Sequence, residues 1–178
     1  MPRIIEEKFY NGAMRRISRL GLSSLLDEVR TILTGFELLI AEQKNANGSA
    51  VVRKQVDQRF QAAGGWQKVQ TGDVDWTKCQ VIDNAKRCLG VEIAVSSRSD
   101  MVSVDLLHLE DALREGEIDI GILVVPSDRF STFLTDRTPS LSAVERHISR
   151  VQHLPLLVIA IEHDGPGASL AKQKRRAP

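Results

Sequence analysis

The side chains of Asp83 and Glu92 form the most suggestive pair in the sequence, nine positions apart. Glu92 lies within the apolar run VEIAV at 91–95, where a carboxylate is costly unless it is paired or bound to a cation. Asp83 ends the preceding predicted strand, so adjacent strands could bring both carboxylates to one point. Two such carboxylates suit Mg²⁺ or Mn²⁺. Such a site would suit phosphodiester hydrolysis, in which the ion activates a water and stabilises the phosphoryl oxygen.

The alternation of a strand determines what accompanies Glu92. Val91, Ile93 and Val95 share one face, and Glu92 and Ala94 share the other. A structural alternative stays open on spacing alone, because Glu92 could instead pair with Lys86 or with the neighbouring Arg87.

The elements that must position these residues follow from hydrophobic periodicity. Apolar residues at helical spacing predict a long amphipathic helix over 22–44, and a second helix runs from Ser49, its predicted cap, to the glycines at 64–65. The remaining predicted elements are strands over 78–83 and 89–95, a helix over 100–116, a strand over 118–125, a helix over 142–152 and a strand over 154–161. Strands with helices before and between them predict an α/β fold, with one mixed central β-sheet flanked by helices.

Length and composition set the wider limits. The chain has 178 residues, with 42% apolar and 26% charged residues, which favours one globular domain. We expect this domain over 1–165, with a helical part at 1–63 and a catalytic sheet core at 66–163, followed by a basic, flexible tail at 166–178. The formal net charge is +1, so no overall polyanion-binding signature is present.

The N-terminal residues, the hydropathy and the cysteines bear on the compartment. No apolar run is long enough for a membrane span, and the N-terminal residues do not resemble a signal peptide. Cys79 and Cys88 are too few and too close together to predict a disulfide framework or a zinc site. We therefore expect a cytoplasmic protein without membrane partners. The four histidines are scattered and are interpreted as surface residues.

Several segments, in order, resemble the BglII-type restriction endonucleases, relatives of BamHI within the PD-(D/E)xK nucleases. The run VIDNAKRCLGVEI at 81–93 resembles their aspartate, Lys-Arg pair and Val-Glu-Ile strand. The helix that ends at Gly65-Trp66, and the segments LPLLV at 154–158 and IEHD at 161–164, resemble flanking elements of that family. The resemblance implies a restriction-endonuclease-like fold.

The resemblance also implies roles for individual residues. Asp83 and Glu92 would ligate the catalytic Mg²⁺, and the third catalytic position falls on Ala94, which can neither bind a metal nor accept a proton. The substitution is either engineered, naturally inactivating, or compensated by another side chain such as Lys86, Arg98 or Gln67. A further polar residue of the family falls around 67–69, without a unique alignment.

The function implied is that of a type II restriction endonuclease, a homodimer that cuts a short palindromic site in double-stranded DNA with Mg²⁺. The helix over 22–44 is the candidate dimer contact. The candidate DNA contacts are Lys86 and the loop residues Ser96, Ser97 and Arg98. Two alternatives remain: an inactive or attenuated DNA-binding protein with the nuclease fold, for which Ala94 is the best argument, and a scaffold protein without nuclease activity.

Overall fold

The computed structural model describes residues 1–68, 74–96, 99–135 and 137–172. The strands are β1 (Arg3–Tyr10), β2 (Leu39–Ile40), β3 (Gln67–Lys68), β4 (Trp76–Ile82), β5 (Ala85–Ile93), β6 (Ile120–Pro126), β7 (Leu156–Glu162) and β8 (Gly165–Pro166). The α-helices are α1 (Ala13–Arg19), α2 (Ser23–Thr34), α3 (Ser49–Ala63), α4 (Val102–Arg114), α5 (Asp128–Phe133) and α6 (Leu141–Glu145). Short 3₁₀ turns lie at Ser99–Met101 and Ile148–Arg150.

Six of the strands form one mixed sheet in the order β1-β7-β6-β5-β4-β3. The central strands β5, β6 and β7 are parallel, and the outer pairings are antiparallel. Every residue of β6 and β7 is buried, as expected for parallel strands that are covered on both faces. The predicted α/β class, with a mixed sheet between helical layers, is confirmed.

Two apolar layers enclose the sheet. On one face, α2 and α3 contribute large buried side chains, among them Leu33 and Phe60, and Phe60 stacks against Trp76 of β4. On the other face, α4 buries Leu106 and Leu109 against alternate residues of β6 and β7. The two layers hold the carboxyl ends of β5, β6 and β7 at one edge of the sheet, where functional residues of α/β proteins commonly lie.

The predicted helix over 22–44 is too long. It ends at Thr34, and residues 39–40 instead form β2, which pairs in parallel with β8. The buried residues of α2, such as Val29, pack into the chain's own core, so this apolar stripe is not free to form a dimer interface. The predicted helix over 142–152 is likewise reduced to α6 and a 3₁₀ turn.

The N-terminal part, predicted as helical over 1–63, begins with a strand. β1 pairs with β7 along its length, from Arg3 opposite Glu162 to Tyr10 opposite Leu156. The predicted tail at 166–178 begins with ordered contacts, because the backbone N–H of Gly48 donates to the Leu170 carbonyl at 3.0 Å. Residues 173–178 lie outside the described residues.

The two cysteines form a disulfide, contrary to the sequence prediction. Cys79 of β4 and Cys88 of β5 face each other in register, with Cα atoms 4.0 Å apart. The prediction was wrong because it judged the number and spacing of the cysteines, whereas a hairpin register puts these two positions side by side. No helix in the described part of the chain combines the length and apolarity of a membrane span.

Candidate metal centre

A tight turn between β4 and β5 sets the geometry of the whole site. Asp83 and Asn84 form this turn with positive φ angles of 48° and 61°, which Asp and Asn tolerate better than most residues. The pairing runs from Ile82 opposite Ala85 to Trp76 opposite Val91. Every residue of β4 is therefore matched to one of β5, and Asp83 lies at the closed end of the hairpin.

The predicted convergence of Asp83 and Glu92 is consequently wrong. Seven residues of β5, at about 3.4 Å each, separate Ala85 beside the turn from Glu92, a distance of about 24 Å. Asp83 is exposed at the turn, whereas Glu92 is only 4% exposed near the other end of the strand. The prediction assumed a longer polar connection between strands at 78–83 and 89–95, which would have brought Asp83 closer to Glu92.

A different aspartate lies beside Glu92. One further step of the β4–β5 register places Asp75 opposite Glu92, and the two carboxyl groups are hydrogen-bonded. The second carboxylate oxygen of Asp75, Oδ2, accepts from the backbone N–H of Ile93 at 2.9 Å. Asp75 is thus attached both to the side chain and to the backbone of the strand that carries Glu92.

Arg53 of α3 fixes this arrangement from the adjacent helical layer. Its guanidinium donates to Asp75 Oδ1 at 2.5 Å, to the Ile93 carbonyl at 2.6 Å and to Asp57 Oδ2 at 3.0 Å. Asp57 in turn accepts from the indole N–H of Trp76 at 2.8 Å. One buried arginine therefore ties a helix, a strand and the aspartate before β4 together.

Helix α4 brings two more potential ligands to Glu92. Asp105 and His108 are three positions apart, on one face of the helix. One ligand atom each from Glu92, Asp105 and His108 lies within 4.8 Å of the others, and His108 Nδ1 is 3.2 Å from Glu92 Oε1. Donor atoms this close together can surround one ion with bonds of about 2.0–2.2 Å.

The protonation of Glu92 reflects this crowding. Burial, and then the neighbouring Asp75 and Asp105 carboxylates, raise the pKa of Glu92 to about 11. Burial also opposes ionisation of Asp75, but hydrogen bonds from Glu92 and Arg53 and the Arg53 charge outweigh it, and the pKa of Asp75 is lowered. Without a cation, Glu92 therefore keeps its proton and donates a hydrogen bond to Asp75. A divalent ion can replace that proton, so the residues present fit a metal centre.

The alternation predicted for β5 is confirmed around this centre. Val91, Ile93 and Val95 join the layer of α2 and α3, and Ala94 lies on the α4 side with Val102. Ala94 is completely buried, so its methyl group contributes packing and no polar contact.

The residues predicted to contact DNA are dispersed. Lys86 is exposed near the closed end of the hairpin, opposite Val81, far from Glu92. Ser96 is exposed just beyond β5. Ser97 and Arg98 lie outside the described residues. Gln67, one of the residues suggested to compensate for Ala94, lies in the edge strand β3, opposite Thr77.

An open pocket of about 520 Å³ adjoins the cluster at Asp57. Its polar lining comes mainly from one face of α3 and from β3, and it includes Lys54, Gln58, Gln61 and Lys68. Lys68 Nζ is 3.4 Å from Asp57 Oδ2. The pocket thus places cationic and amide groups next to the carboxylates.

The family model of restriction endonuclease BglII/BglIII matches residues 5–161, which include the whole hairpin, α4 and the central sheet. The chain belongs to this restriction endonuclease family. Membership implies DNA binding and nuclease chemistry, and the family resemblance drawn from the sequence is thereby confirmed. No curated protein sequence matches the chain.

Three residues of the site were not predicted from the sequence: Asp75, Asp105 and His108. Asp75 could have been found from the Asp-Asn pair at 83–84, because a two-residue turn there forces position 75 opposite Glu92. The spacing of Asp105 and His108 was visible, yet many exposed helix faces carry such a pair. Only the packing of α4 beside β5 distinguishes this one.

Proposed function

We propose that this chain is a divalent-metal-dependent endonuclease that hydrolyses phosphodiester bonds of double-stranded DNA. The observation that carries the proposal is the meeting of Asp75, Glu92, Asp105 and His108 at the carboxyl edge of the parallel strands. Three carboxyl groups and an imidazole share a partly buried corner in which Arg53 supplies the fixed positive charge. Such a set favours a divalent cation electrostatically.

The protein's own groups have distinct tasks in this proposal. Asp75 and Glu92 hold the ion, and Arg53 keeps Asp75 in place from α3. A bound Mg²⁺ or Mn²⁺ supplies a more acidic water and stabilises charge on the phosphate. Because carboxylates suit Mg²⁺ and imidazole suits softer ions, we expect Mn²⁺ to support cutting at least as well as Mg²⁺.

The α4 pair provides a replacement for the absent third group of β5. Ala94 offers no ligand, but it lies on the same face of β5 as Glu92, and α4 packs over that face. His108 and Asp105 approach Glu92 from α4. We therefore propose that His108 and Asp105 keep the metal ion in position, as a polar side chain at position 94 would have done.

The DNA side of the site is assigned by charge and hydrogen-bonding capacity. Lys54 and Lys68 in the pocket beside Asp57 suit phosphate oxygens, and the amides of Gln58 and Gln61 suit base edges. A homodimer acting on a palindromic site follows from the same logic, since two symmetry-related metal centres would cut one strand each.

The proposal is tested by incubating a mixed-sequence plasmid with the protein in Mg²⁺, in Mn²⁺ and in EDTA. Discrete fragments with either ion, and none in EDTA, are expected. Fragments in EDTA would overturn the metal requirement. Absence of cutting in both ions would overturn the nuclease proposal.

One alternative has a specific observation behind it. The buried methyl group of Ala94 favours a DNA-binding protein with the nuclease fold and no cutting activity. A gel-shift in Ca²⁺ separates the two, because the alternative predicts a bound duplex together with an intact plasmid in Mn²⁺.

A further inference from the structure

Four arginines converge on one side of the molecule, in a pocket of about 540 Å³. Arg15, Arg16 and Arg19 come from α1, and Arg87 comes from β5. Positions 15 and 19, and positions 16 and 19, are neighbours on a helix surface, so the three α1 guanidinium groups project from one face. The formal net charge of the whole chain is +1, so this concentration of positive charge is a local feature.

The platform that carries these arginines is firmly attached. Ala13 is completely buried and Ile17 is 5% exposed, and these residues anchor α1 on the sheet. The helix follows Gly12, which adopts a left-handed conformation with φ of 76°, and this turn directs α1 back across β1. The arginines thus extend from a fixed surface, although their side chains are exposed.

The α1 arginines have no carboxylate partner among the residues that the structure describes. In the described segments of the chain, no acidic group lies within salt-bridge distance of Arg15, Arg16 or Arg19. Arg87 has a distant partner, with its Nη1 atom 3.8 Å from Asp119 Oδ1, while Asp119 also accepts from the backbone N–H of Cys88. Most of the positive charge therefore remains available to an anion.

The arginine pocket and the metal centre lie at opposite ends of β5. Arg87 precedes Glu92 by five residues, which at about 3.3 Å each is about 17 Å. The two side chains also point to opposite faces, because one position is odd and the other is even. A phosphate bound by the arginines is therefore a different one from the phosphate beside the metal, since the two sites are at least about 17 Å apart.

We propose that Arg15, Arg16, Arg19 and Arg87 form a second phosphate-binding surface, which holds the DNA backbone at a distance from the cutting site. The inference rests on the DNA binding that family membership implies. Several guanidinium groups spread over a helix and a strand match the repeated phosphates of a duplex better than a single phosphate ion. Such a contact adds affinity and orientation without reading sequence.

The test compares two double variants that lose the same charge. Arg15→Gln with Arg19→Gln alters the proposed surface, and Arg146→Gln with Arg150→Gln alters exposed arginines near α6, in the other helical layer. Binding to a duplex of about 24 base pairs is measured in Ca²⁺ over a range of salt concentrations. Thermal unfolding of both variants checks that the fold is intact.

The α1 double variant is expected to weaken binding about 10- to 100-fold near 0.1 M salt, and to reduce the slope of log affinity against log salt by about 1.8. The control variant should leave both values within about twofold and 0.5, respectively. Equal losses in the two variants, or no loss in either, would overturn the proposal.

Two further experiments distinguish free phosphate from duplex DNA as the ligand and test whether the arginine surface acts independently of the metal centre. If inorganic phosphate raises the melting temperature of the unmodified protein but not of the α1 variant, while the DNA slope is unchanged, the site binds free phosphate and the duplex proposal is wrong. In the Asp75→Asn background, the α1 substitutions should reduce the slope by the same amount, because the two sites share no partner. A protein that binds DNA in this way but never cuts would contradict the proposed function alone.

Discussion

Two glutamate–histidine pairs lie at the same edge of the sheet and have opposite electrostatic character. Glu92 near the end of β5 contacts His108 of α4, and Glu162 at the end of β7 contacts the adjacent His163. Both glutamates are buried, with exposures of 4% and 7%. Residue type and burial alone would therefore give the two pairs the same role.

In the pair on β7, both carboxylate oxygens and both ring nitrogens have hydrogen-bond partners. Glu162 Oε2 accepts from the Ser127 hydroxyl at 2.6 Å, and Oε1 accepts from the backbone N–H of His163 at 3.2 Å. The other ring nitrogen of His163 is 2.8 Å from Glu42 Oε1, and this hydrogen bond lowers the pKa of Glu42. His163 is 1% exposed, and its ring packs near Phe130 and Phe133. These hydrogen bonds link β7 to Ser127 and Glu42, so the pair stabilises the fold.

The pair on β5 is crowded with like charge instead. Burial, together with the neighbouring Asp75 and Asp105 carboxylates, raises the pKa of Glu92 to about 11. The comparison shows that a functional site is recognised by like charges that no neighbouring group balances. Both carboxylate oxygens of Glu162 accept hydrogen bonds, whereas Glu92 lies beside two further carboxyl groups, a set that favours binding of a cation.

The largest contrast should come from matched glutamine substitutions. Glu92→Gln removes an ion ligand, and we expect cutting to fall by at least about 10³-fold because several kcal/mol of charge stabilisation are lost. Its unfolding free energy should not fall, since the protonated Glu92 of the metal-free fold is replaced by an uncharged side chain that can also donate to Asp75. Glu162→Gln should keep cutting but lower the unfolding free energy by about 1–3 kcal/mol. Plasmid cleavage and urea unfolding measure both, and a reversed pattern would contradict the assignment.

The second contrast concerns the α4 histidine. His108→Gln should weaken Mn²⁺ binding by about 10- to 100-fold, comparable to the loss of other groups that hold a metal ligand set together. His153→Gln, at an exposed position, serves as the control and should change the affinity by less than about twofold. Calorimetric titration with Mn²⁺ gives both values. Equal affinities in the two variants would remove His108 from the centre.

A pH series distinguishes the two pairs in a third way. In the metal-free fold, Glu92 binds a proton between its unfolded pKa of 4.5 and about 11, so its contribution to stability decreases as pH rises through that window. An ion must displace this proton, and its affinity should increase by up to about tenfold per pH unit. The Ca²⁺-induced rise in melting temperature should therefore be larger at pH 8.5 than at pH 6.5, and absent in Glu92→Gln. A larger rise at the lower pH would contradict this.

The smallest effect is expected at the closed half of the hairpin. Reducing the Cys79–Cys88 disulfide should lower the unfolding free energy by about 1–3 kcal/mol, because the intact disulfide closes only a short loop. Ion affinity should not change, since Cys88 lies four residues from Glu92 along β5, about 13 Å. Urea unfolding and Ca²⁺ titration, with and without reductant, test this. A loss of Ca²⁺ binding on reduction would show that both halves of the hairpin act together.

Much of this architecture was accessible from the sequence. The buried strands β6 and β7 are continuous apolar runs, and the alternation around Glu92 correctly separated Ile93 from Ala94. The missed β1 carries four charged residues along its length, which conceals its strand character. The helix over 22–44 was overextended because Phe36, Leu39 and Ile40 continue the helical apolar spacing after the helix has ended.

The candidate site was only half accessible. Glu92 stands out because it interrupts an apolar strand, and that signal is local. Its partner depends on hairpin register, because the turn at 83–84 puts Asp83 at the closed end of the hairpin and places Asp75 opposite Glu92. Asp105 and His108 depend on where α4 docks, which is a tertiary property that spacing does not encode.

The most direct test of the account is therefore the comparison of two aspartates in one cleavage assay. Asp75→Asn and Asp83→Asn make the same chemical change at opposite ends of β4. Each variant is assayed on plasmid DNA in Mn²⁺, with Ca²⁺-induced thermal stabilisation measured in parallel. The account predicts that Asp75→Asn loses cutting and stabilisation together, while Asp83→Asn retains both. Loss of both in Asp83→Asn, with Asp75→Asn unaffected, would contradict it.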